Sequence, residues 1–559
     1  MMIPSGLSQC AQNAIITSIA ILSLSPMAHA QLIVNDAYVT SHGGASTTIS
    51  GTFTCPNNTT PAIIISTSKP VTITNSYLRG ASDLISALGA NPINLTVTNT
   101  VGYGTNPNSN GASKGYFVNA GYVAKLVVQG CYLEGTAYGI KANQYNGTRN
   151  GDNTINISNN RMHNIDGRYS NGSGGYQTSG LGSPHAIQIQ DVHGVPNALI
   201  AWNEIIGEPY NSYDTDVINF TRFSGTSGSH VNCTYNYIQG QYAPDPIHQG
   251  NAGVGILTDG AGGDSFSDSC AYIDITNNQV VNGSNCAFGI AEGHDNGLYW
   301  NRAISSGKVP GTTNTIQASN VGIYISPQSG QPQPPFGNNT AQNNTSSWIN
   351  AGGADNSFFL NTGYVNSFNN GGIGHNATVA DEANEYVTWQ QRTKNSNIRI
   401  GSSFLPDGLY KITAKTSGDA LDCYAYGSGN NTPIQLWPYS GSNNQKWWLH
   451  NLGNGYYSIR TYDPSMPGNI GRSLDATGCS GADGTVIQLY DYSGAGCQQW
   501  SITQTSGSFC SIATSNAKSD GSHDVLDGNG CTGADGTRIS LWSWGGGSCQ
   551  QEWNFTLVQ

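Results

Sequence analysis

Charged side chains are scarce in this chain: Lys, Arg, Asp and Glu make up 10% of its 559 residues, against about 25% in an ordinary globular protein. Sustained helical periodicity is lacking, and no apolar run after residue 30 is long enough to span a membrane. The formal net charge of −12 argues against nucleic acid and polyanions as partners. What the chain has instead is Gly (72 residues) and many Asn, Ser and Thr. We therefore predict an all-β protein, soluble and monomeric, with no membrane partner.

The first thirty residues differ from the rest. The apolar stretch "AIITSIAILSLSPMAHA" ends in Ala28-His29-Ala30, which is the small-x-small pattern of a signal-peptidase site, although no Lys or Arg precedes it. We expect residues 1–30 to be a signal peptide and the mature protein to be secreted, extracellular or periplasmic.

One of the twelve Cys residues, Cys10, lies in the predicted signal peptide, and the remaining eleven fit an oxidising compartment. Cys479 and Cys497 are 18 positions apart, as are Cys531 and Cys549, and the two pairs occupy matching places in two repeats. Both pairs are predicted disulfides. The other mature Cys residues cannot be paired from the sequence, and their odd total leaves at least one free.

The C-terminal part contains an internal repeat. Gln-x-Trp triplets end at Trp447, Trp500 and Trp553, and both intervals are 53 residues. Each repeat also contains short β runs and Gly-rich turns. Three repeats of about fifty residues predict a closed threefold barrel in which each Trp plugs a shared core.

Each repeat has an early Leu-Asp pair (Asp422, Asp475, Asp527) and a later "IQLW", "IQLY" or "ISLW". This pattern resembles the ricin-type β-trefoil lectins, carbohydrate-binding module family 13, over residues 405–559. The resemblance implies that the Asp accepts hydrogen bonds from sugar hydroxyls, the aromatic residue stacks on the sugar, and Asn-Gln completes the rim. The implied carbohydrate-binding residues are Asp422, Gln435, Trp437, Asn444 and Gln445 in the first repeat, Asp475, Gln488, Tyr490 and Gln498 in the second, and Asp527, Trp542 and Gln551 in the third.

The later repeats depart from this pattern. Cys497 replaces the Asn of the second repeat, while Ser540 replaces the Gln and Gln550 the Asn of the third. We therefore expect the first site to be competent and the third to be the weakest. A trefoil kept only as a structural cap is the alternative.

A looser repeat covers residues 31–400. Asn recurs in short β contexts at Asn160, Asn203, Asn236, Asn278, Asn301 and Asn343, and an Ile marker recurs at Ile140, Ile187, Ile218, Ile256, Ile290 and Ile323. Short parallel strands that coil bring equivalent positions into stacks, and Asn forms ladders at their turns. The segment resembles the right-handed parallel β-helices of secreted polysaccharide-degrading proteins. The predicted fold is thus all-β, with a right-handed parallel β-helix (31–400) followed by a β-trefoil domain (401–559).

Ionisable side chains follow the same strand on successive rungs of this helix. They are Asp191 and His193, Arg222, Asp259, and Glu292 with His294 and Asp295. Glycoside hydrolysis requires two carboxylates about 5 Å apart for retention, or further apart for inversion, and rungs stack at about 4.8 Å. We therefore assign Asp259 as one catalytic carboxylate and Asp191 or Glu292 as the other. Arg222, His294, Asp295, His193 and Trp300 are candidate substrate contacts, with Trp202 and Tyr324 as further sugar platforms or groove walls.

The leading functional hypothesis is an endo-acting glycoside hydrolase on a largely neutral polysaccharide, which the trefoil also binds. A polysaccharide lyase with Arg222 as base and a non-catalytic carbohydrate-binding surface or adhesin protein are the alternatives. The acidic residues could instead cap turns. No cofactor is predicted; Asp264 and Asp268 could ligate calcium with Asp259, but their spacing matches no defined calcium loop.

Overall fold

The structure is a computed structural model that describes residues 31–558, apart from 90, 149–151, 180, 251–252, 261–263, 318–319, 328–335, 362, 403–404, 406, 454–455, 507–508, 530–532 and 548–549. The predicted signal peptide lies outside the described residues. So does the predicted Cys531–Cys549 disulfide.

The N-terminal part is a parallel β-helix, as predicted. Its elements in chain order are β1 (Leu32–Val34), α1 (Asp36–His42), β2 (Thr47–Thr54), β3 (Ile63–Ile65), β4 (Val71–Gly80), β5 (Ile85–Ala87), β6 (Ile93–Thr98), β7 (Val101–Gly104), β8 (Tyr116–Ala120), β9 (Val123–Gln129), β10 (Tyr132–Glu134), β11 (Tyr138–Asn143), β12 (Ile155–Ser158), β13 (Arg161–His163), β14 (Ile187–Val192), β15 (Leu199–Ala201), β16 (Glu204–Ile206), β17 (Ile218–Phe223), β18 (Val231–Thr234), β19 (Tyr237–Gln241), β20 (Val254–Asp259), β21 (Ile273–Thr276), β22 (Gln279–Gly283), β23 (Cys286–Ile290), β24 (Gly297–Tyr299), β25 (Arg302–Ser305), β26 (Ile323–Ile325), β27 (Asn339–Trp348), β28 (Phe358–Leu360), β29 (Val365–Gly371) and α2 (Val379–Asn395).

The strands stack into three parallel faces. The first face, here called sheet 1, runs β1-β3-β5-β8-β11-β14-β17-β20-β23-β26-β28. The second and third faces run through β6-β9-β12-β15-β18-β21-β24 and β7-β10-β13-β16-β19-β22-β25. Alternate side chains of each strand point inward, which buries the apolar Ile, Val and Leu residues in one continuous core.

The register of sheet 1 confirms five of the six predicted Ile markers and corrects one. Ile140, Ile187, Ile218 and Ile256 stack directly on one another. On the next rung the stacked residue is Phe288, not Ile290, and Phe288 pairs in turn with Ile323. Ile290 lies two positions after Phe288, and both side chains point inward. The sequence pattern therefore could not show which of Phe288 and Ile290 occupies the stacked position.

An Asn ladder fixes the turn between the second and third faces. Asn160, Asn203, Asn236, Asn278, Asn301 and Asn344 donate side-chain hydrogen bonds from rung to rung, ending on Asn370. The predicted member Asn343 is wrong by one position: it has a left-handed backbone (φ 57°), and Asn344 is the ladder residue. The residue before each ladder Asn takes this left-handed conformation, which turns the chain sharply and aims the Asn inward.

Helix α2 covers part of the third face and was not predicted from the sequence. Thr378 and Asp381 form a capping box at its start. Its buried Glu385 pairs with Arg302 (2.6 Å), and its Trp389 indole donates to the Tyr235 carbonyl (2.8 Å). These polar contacts with the sheet, rather than a wide apolar stripe, hold the helix in place, so the helical periodicity of the sequence is weak.

The C-terminal part is a β-trefoil of antiparallel strands. Its strands are β30 (Gly408–Ala414), β31 (Ala420–Cys423), β32 (Ile434–Trp437), β33 (Trp447–Gly453), β34 (Tyr456–Tyr462), β35 (Ile470–Ala476), β36 (Ile487–Tyr490), β37 (Trp500–Ser506), β38 (Phe509–Thr514), β39 (Val525–Gly528), β40 (Ile539–Trp542) and β41 (Trp553–Leu557).

The three repeat Trp residues plug the trefoil core as predicted. Trp447, Trp500 and Trp553 are fully buried, and each indole N–H donates to the carbonyl of the Leu that precedes the repeat's Asp. The predicted Cys479–Cys497 disulfide is present. Seven other described Cys residues are free: Cys55, Cys131, Cys233, Cys270, Cys286, Cys423 and Cys510.

The segment between the two parts is hydrogen-bonded to both. Gly401 N–H donates to the Asn159 carbonyl (2.7 Å), and the Ser402 hydroxyl donates to Asn99 Oδ1 (2.9 Å). Leu405 N–H donates to the Tyr457 hydroxyl of the trefoil (3.1 Å). In the described chain, no helix has the length and apolar character needed to cross a membrane.

Candidate functional site

The outward face of sheet 1 carries a row of polar side chains on the middle rungs. Gln190 of β14, Thr221 of β17 and Asp259 of β20 occupy one register position on three neighbouring strands. Asn219, two residues before Thr221, lies on the same outward face beside Asp216, which precedes β17. These residues form the floor of a groove, here called the carboxylate groove.

Two carboxylates of this groove share one amide. Asn219 Nδ2 donates to Asp216 Oδ2 (2.9 Å), and the Asn219 side chain also stabilises the Asp259 carboxylate. Asp216 Oδ1 accepts from the Val254 N–H (2.8 Å), and Asp259 Oδ1 accepts from the Gly260 N–H (2.8 Å). Burial raises the pKa of Asp216 to about 6, and burial with the neighbouring Asp216 charge raises the pKa of Asp259. Asp259 was predicted from the sequence as a catalytic carboxylate, whereas Asp216 and Asn219 were not predicted.

A buried imidazole lies behind this pair. His185 Nδ1 donates to the Asp216 carbonyl oxygen (2.9 Å), and the ring is 6% exposed. Burial lowers the pKa of His185 to about 4, so the ring is neutral at pH 7. His185 therefore adds no positive charge to the carboxylate groove, and the nearby cation on this side is Lys141 of β11, in the same row as Gln188 and Asn219.

An ion-pair network lies at the turn that follows β14, β17 and β20. Arg222 pairs with Asp191 (2.5 Å) and approaches Asp264 (3.7 Å). Asp191 and Arg222 both have left-handed backbone conformations, φ 54° and 52°. The predicted catalytic Asp191 is thus held in an ion pair at the groove edge, and the predicted substrate contact Arg222 is held by two carboxylates.

Glu292 lies underneath this edge, not in the open groove. Its Oε2 accepts from the Cys270 N–H (2.9 Å), and the residue is 3% exposed. Glu292 and Asp264 both crowd the space beside Gly260, where a β-carbon would lie 2.5 Å from Glu292 Cγ. Burial, with the Asp264 and Asp259 charges nearby, raises the pKa of Glu292 to about 7. Because Glu292 is buried and hydrogen-bonded to the backbone, it does not face the open groove, where a catalytic carboxylate would contact substrate.

The other residues predicted to contact substrate lie partly at the edge of the carboxylate groove and partly at other turns of the β-helix. His193 lies beside the Asp191–Arg222 pair, where burial lowers its pKa. His294 is 4% exposed, stacks under Phe266 (3.7 Å between ring centroids) and pairs with Asp295 (2.6 Å), so its predicted sugar contact is wrong. Asp295 hydrogen-bonds Asn338, on the ladder side of the turn.

Trp300 is placed away from the carboxylate groove. It is 54% exposed, but it occupies the left-handed position at the turn between the second and third faces. Trp202 holds the same turn position on an earlier rung and stacks on Tyr235 (4.4 Å). Trp300, predicted as a substrate contact, is thus not brought together with the carboxylates. The described residues contain no group of three or more His, Cys, Asp or Glu side chains that could hold a metal ion. Asp259, Asp264 and Asp268 therefore do not form the calcium site considered from the sequence.

The trefoil contains a second group of candidate sites, one per repeat. Asp422 lies directly opposite Gln435 in the β31–β32 hairpin and accepts from Gln435 Nε2 (3.0 Å) and Asn444 Nδ2 (2.7 Å). In the second repeat Asp475 accepts from Gln488 Nε2 (3.0 Å) and Gln498 Nε2 (3.1 Å). The Gln498 contact matches the one that Gln445 makes with Asp422 in the first repeat, and Cys497 has no side-chain amide to supply the contact of Asn444.

The third repeat is less complete. Asp527 faces Ser540, whose buried hydroxyl has no hydrogen-bond partner, and Gln551 supplies the amide contact to Asp527. The expected order of binding at the three sites stays a prediction. The aromatic residues predicted to stack on sugar are exposed in all three repeats: Trp437 (45%), Tyr490 (43%) and Trp542 (48%). A second aromatic two residues later, Tyr439, Tyr492 or Trp544, is also exposed and was missed.

The Gln of each Gln-x-Trp triplet holds a turn. Gln445 accepts from the Ser440 N–H (2.8 Å) and donates to the Pro438 carbonyl (2.9 Å). Gln498 and Gln551 make the equivalent pair of backbone bonds in their repeats, and all three are 2% exposed or less. The same amides also hydrogen-bond the pocket carboxylates Asp422, Asp475 and Asp527, so each Gln joins its turn to its pocket, and the rim role of Gln445, Gln498 and Gln551 stays a prediction.

Comparison with known proteins identifies the C-terminal part. Residues 399–465 and 468–542 match the family of ricin-type β-trefoil lectin domain-like sequences. The trefoil is therefore a lectin-like carbohydrate-binding module. More particularly, this part of the chain belongs to the ricin-type β-trefoil lectin family. The β-helix lies outside the matched residues, and no curated protein matches the chain.

Several solved structures are similar to the same part. A designed threefold symmetric protein, ThreeFoil, is 30% identical over 27% of this chain and 100% of its own, with a TM-score of 0.24. An exo-β-1,3-galactanase from Clostridium thermocellum is 30% identical over 29% of this chain, with a TM-score of 0.24, and the match spans 32% of its length. The Macrolepiota procera ricin B-like lectin in complex with lactose is 22% identical over 27% of this chain and 94% of its own, with a TM-score of 0.22.

Proposed function

We propose that the protein is a secreted glycoside hydrolase that cleaves a largely neutral polysaccharide within its chain and holds that polymer through the trefoil. The observation that carries the proposal is the Asp216–Asn219–Asp259 arrangement on the outward face of sheet 1, where one amide joins two carboxylates. Two carboxylates flanking the scissile bond are the minimum that glycoside hydrolysis requires.

The surroundings assign different roles to the two carboxylates. Asp216 lies deeper, and its pKa of about 6 keeps a useful fraction protonated near neutral pH, so it donates the proton to the leaving oxygen. Asp259 ends β20 at the groove edge and serves as base or nucleophile. Asp191, Arg222 and Asp264 act as positioning residues that fix this edge through their ion pairs.

The charges around the groove support hydrolysis of a neutral polymer over lyase chemistry. A lyase acting on uronates needs a base and a cationic groove. Arg222 is engaged by two carboxylates and His185 is neutral, so Lys141, two strands from Asn219 in the same row of sheet 1, is the remaining cation of the groove. Acidic side chains outnumber basic ones in the described groove, which disfavours binding of a polyanion.

The test is release of reducing ends by the mature protein from xylan, galactan, arabinan, β-glucan and polygalacturonate. Asp259→Asn and Asp216→Asn should each lower kcat by at least about a hundredfold on the polymer that is cleaved, because each removes one of the two required carboxylates. Asp274→Asn is the matched control, since Asp274 pairs with His230 on the second face.

Each outcome has a defined meaning. Equal activity of Asp259→Asn and wild type would refute the assigned centre. A rise in absorbance at 235 nm during digestion would identify a lyase. Glycan binding without any product would leave a carbohydrate-binding surface or adhesin protein.

A further inference from the structure

Beyond the carboxylates, the floor of the groove becomes apolar. The register position of Asn219 continues as Leu257, Gly289, Tyr324 and Phe359 on the next four strands of sheet 1. The amide that joins the two carboxylates and the two aromatic rings therefore lie in one row along the groove.

The Tyr324 ring lies flat on the sheet because its neighbour is Gly289. A β-carbon on Gly289 would lie 2.5 Å from two ring carbons of Tyr324. Any larger residue at position 289 would therefore occupy the space of the ring. Since Gly289 is on the rung before Tyr324, the ring points back along the row towards Leu257 and the carboxylates. Asp216 and Asp259 both contribute to the charge environment of its hydroxyl group.

A cavity of 430 Å³ opens beside this ring. Its walls include Val321, Pro327 and Phe359, and Phe359 is 59% exposed. Three amide side chains, Asn285, Asn320 and Asn356, provide the polar part of its lining. The ionisable groups in its described lining are the Tyr324 phenol and the Cys286 thiol, and burial raises the pKa of both, so both are neutral at pH 7.

We propose that Tyr324 and Phe359 form a sugar-binding subsite for the apolar face of an uncharged sugar residue, next to the carboxylate pair. A flat ring presents its face to the C–H groups of a pyranose, and the amides can hydrogen-bond its hydroxyls. A carboxylate on the sugar would have no cation to meet in this cavity and would lose hydration on entry. This inference rests on the proposed function and specifies its substrate class as a neutral polysaccharide.

The test measures binding without requiring cleavage. Asp422→Ala, Asp475→Ala and Asp527→Ala are combined with Asp259→Asn in the full chain, so that neither the trefoil nor turnover contributes. Xylohexaose, β-1,4-galactohexaose and hexagalacturonate are then titrated by calorimetry. At least one neutral hexasaccharide should bind, hexagalacturonate should not, and adding Tyr324→Ala should weaken binding by about tenfold or more.

Two controls separate loss of the ring from loss of the fold. Tyr324→Phe keeps the ring and should bind within about twofold of its parent. Trp300→Ala removes an aromatic residue that is more exposed than Tyr324 but lies at another corner, and it should leave binding unchanged. Unchanged binding in Tyr324→Ala, preference for hexagalacturonate, or no binding of either neutral probe would overturn the subsite. Binding through Tyr324 by a protein that releases no reducing ends would instead refute the hydrolase and keep the subsite.

Discussion

Asn278 Oδ1 accepts two hydrogen bonds from Asn236, one from its backbone N–H (2.8 Å) and one from its side-chain amide (2.9 Å). Asn278 Nδ2 also donates to the Cys233 carbonyl (2.9 Å) and to Asn301 Oδ1 (3.1 Å). Since Asn278 is fully buried, no water can replace these bonds.

Replacing this residue should therefore destabilise the β-helix. Asn278→Ala leaves several buried polar groups without partners, and we expect a loss of about 3 kcal/mol in the free energy of unfolding, measured by urea denaturation. Asn232→Ala, on the exposed side of β18, is the control and should cost less than about 0.5 kcal/mol. Equal losses in the two variants would show that the ladder does not stabilise the fold.

A second prediction concerns Gly289. The β-carbon of Gly289→Ala would overlap the Tyr324 ring, so we expect the ring to be displaced and the free energy of unfolding to fall by about 1–3 kcal/mol. The same substitution at Gly228, which has no atoms near its β-carbon position, should change stability little. The midpoint of thermal unfolding reports both values. A neutral Gly289→Ala variant would mean that the ring is free to move.

A third prediction concerns pH. The folded pKa of Asp216, about 6, lies above its unfolded value, so the folded state binds the proton first and loses stability as pH rises from about 4 to 6. The folded pKa of His185, about 4, lies below its unfolded value, so the folded state loses stability as pH falls from about 6.5 to 4.

Variants at these two positions should therefore show opposite changes in stability with pH, each compared with the wild type. Relative to wild type, Asp216→Asn should gain on the order of 2 kcal/mol between pH 4 and pH 7, whereas His185→Gln should gain as pH is lowered over the same range. Urea denaturation at pH 4, 5, 6 and 7 measures both differences. Parallel stability curves for the variants and the wild type would contradict the assigned pKa directions.

A fourth prediction ranks the trefoil sites. Trp437→Ala should weaken retention in a polysaccharide-containing gel more than Trp542→Ala, because Asp422 is held by two side-chain amides whereas Asp527 faces a Ser. We expect about a tenfold loss for Trp437→Ala, and less than about threefold for Trp542→Ala. Tyr210→Ala is the control, since Tyr210 is exposed and belongs to the β-helix, outside the trefoil. The reverse order would show that the Asp contacts do not set affinity.

The sequence predicted the repetitive features well. Equal spacing of Trp447, Trp500 and Trp553 identified the trefoil, and Ile and Asn markers identified the β-helix, because stacked rungs impose one residue type at each inward position. The errors at Ile290 and Asn343 are shifts of two and one residues, which a loose repeat with variable loops cannot resolve.

The chemistry of the β-helix was less predictable. Asp216 precedes its strand and joins the groove only through Asn219, so its role depends on contacts between rungs that a sequence pattern does not record. Conversely, His294 and Trp300 fall near Glu292 in the sequence but turn away from the groove with the chain. The turn-holding bonds of the Gln-x-Trp amides were also not foreseen, because the sequence does not show which backbone groups lie within their reach.

The connection between the two parts has a further consequence. Gly401 and Ser402 are hydrogen-bonded to the β-helix, and Leu405 is hydrogen-bonded to the trefoil. The connecting segment is therefore not a flexible linker that would let the lectin sites move freely relative to the groove. The effective concentration of a polymer strand at the groove, once the trefoil has bound it, is then set by the geometry of one body instead of by linker length. Only polymers long enough to reach both regions gain from this arrangement, so short oligosaccharides should interact with each region independently.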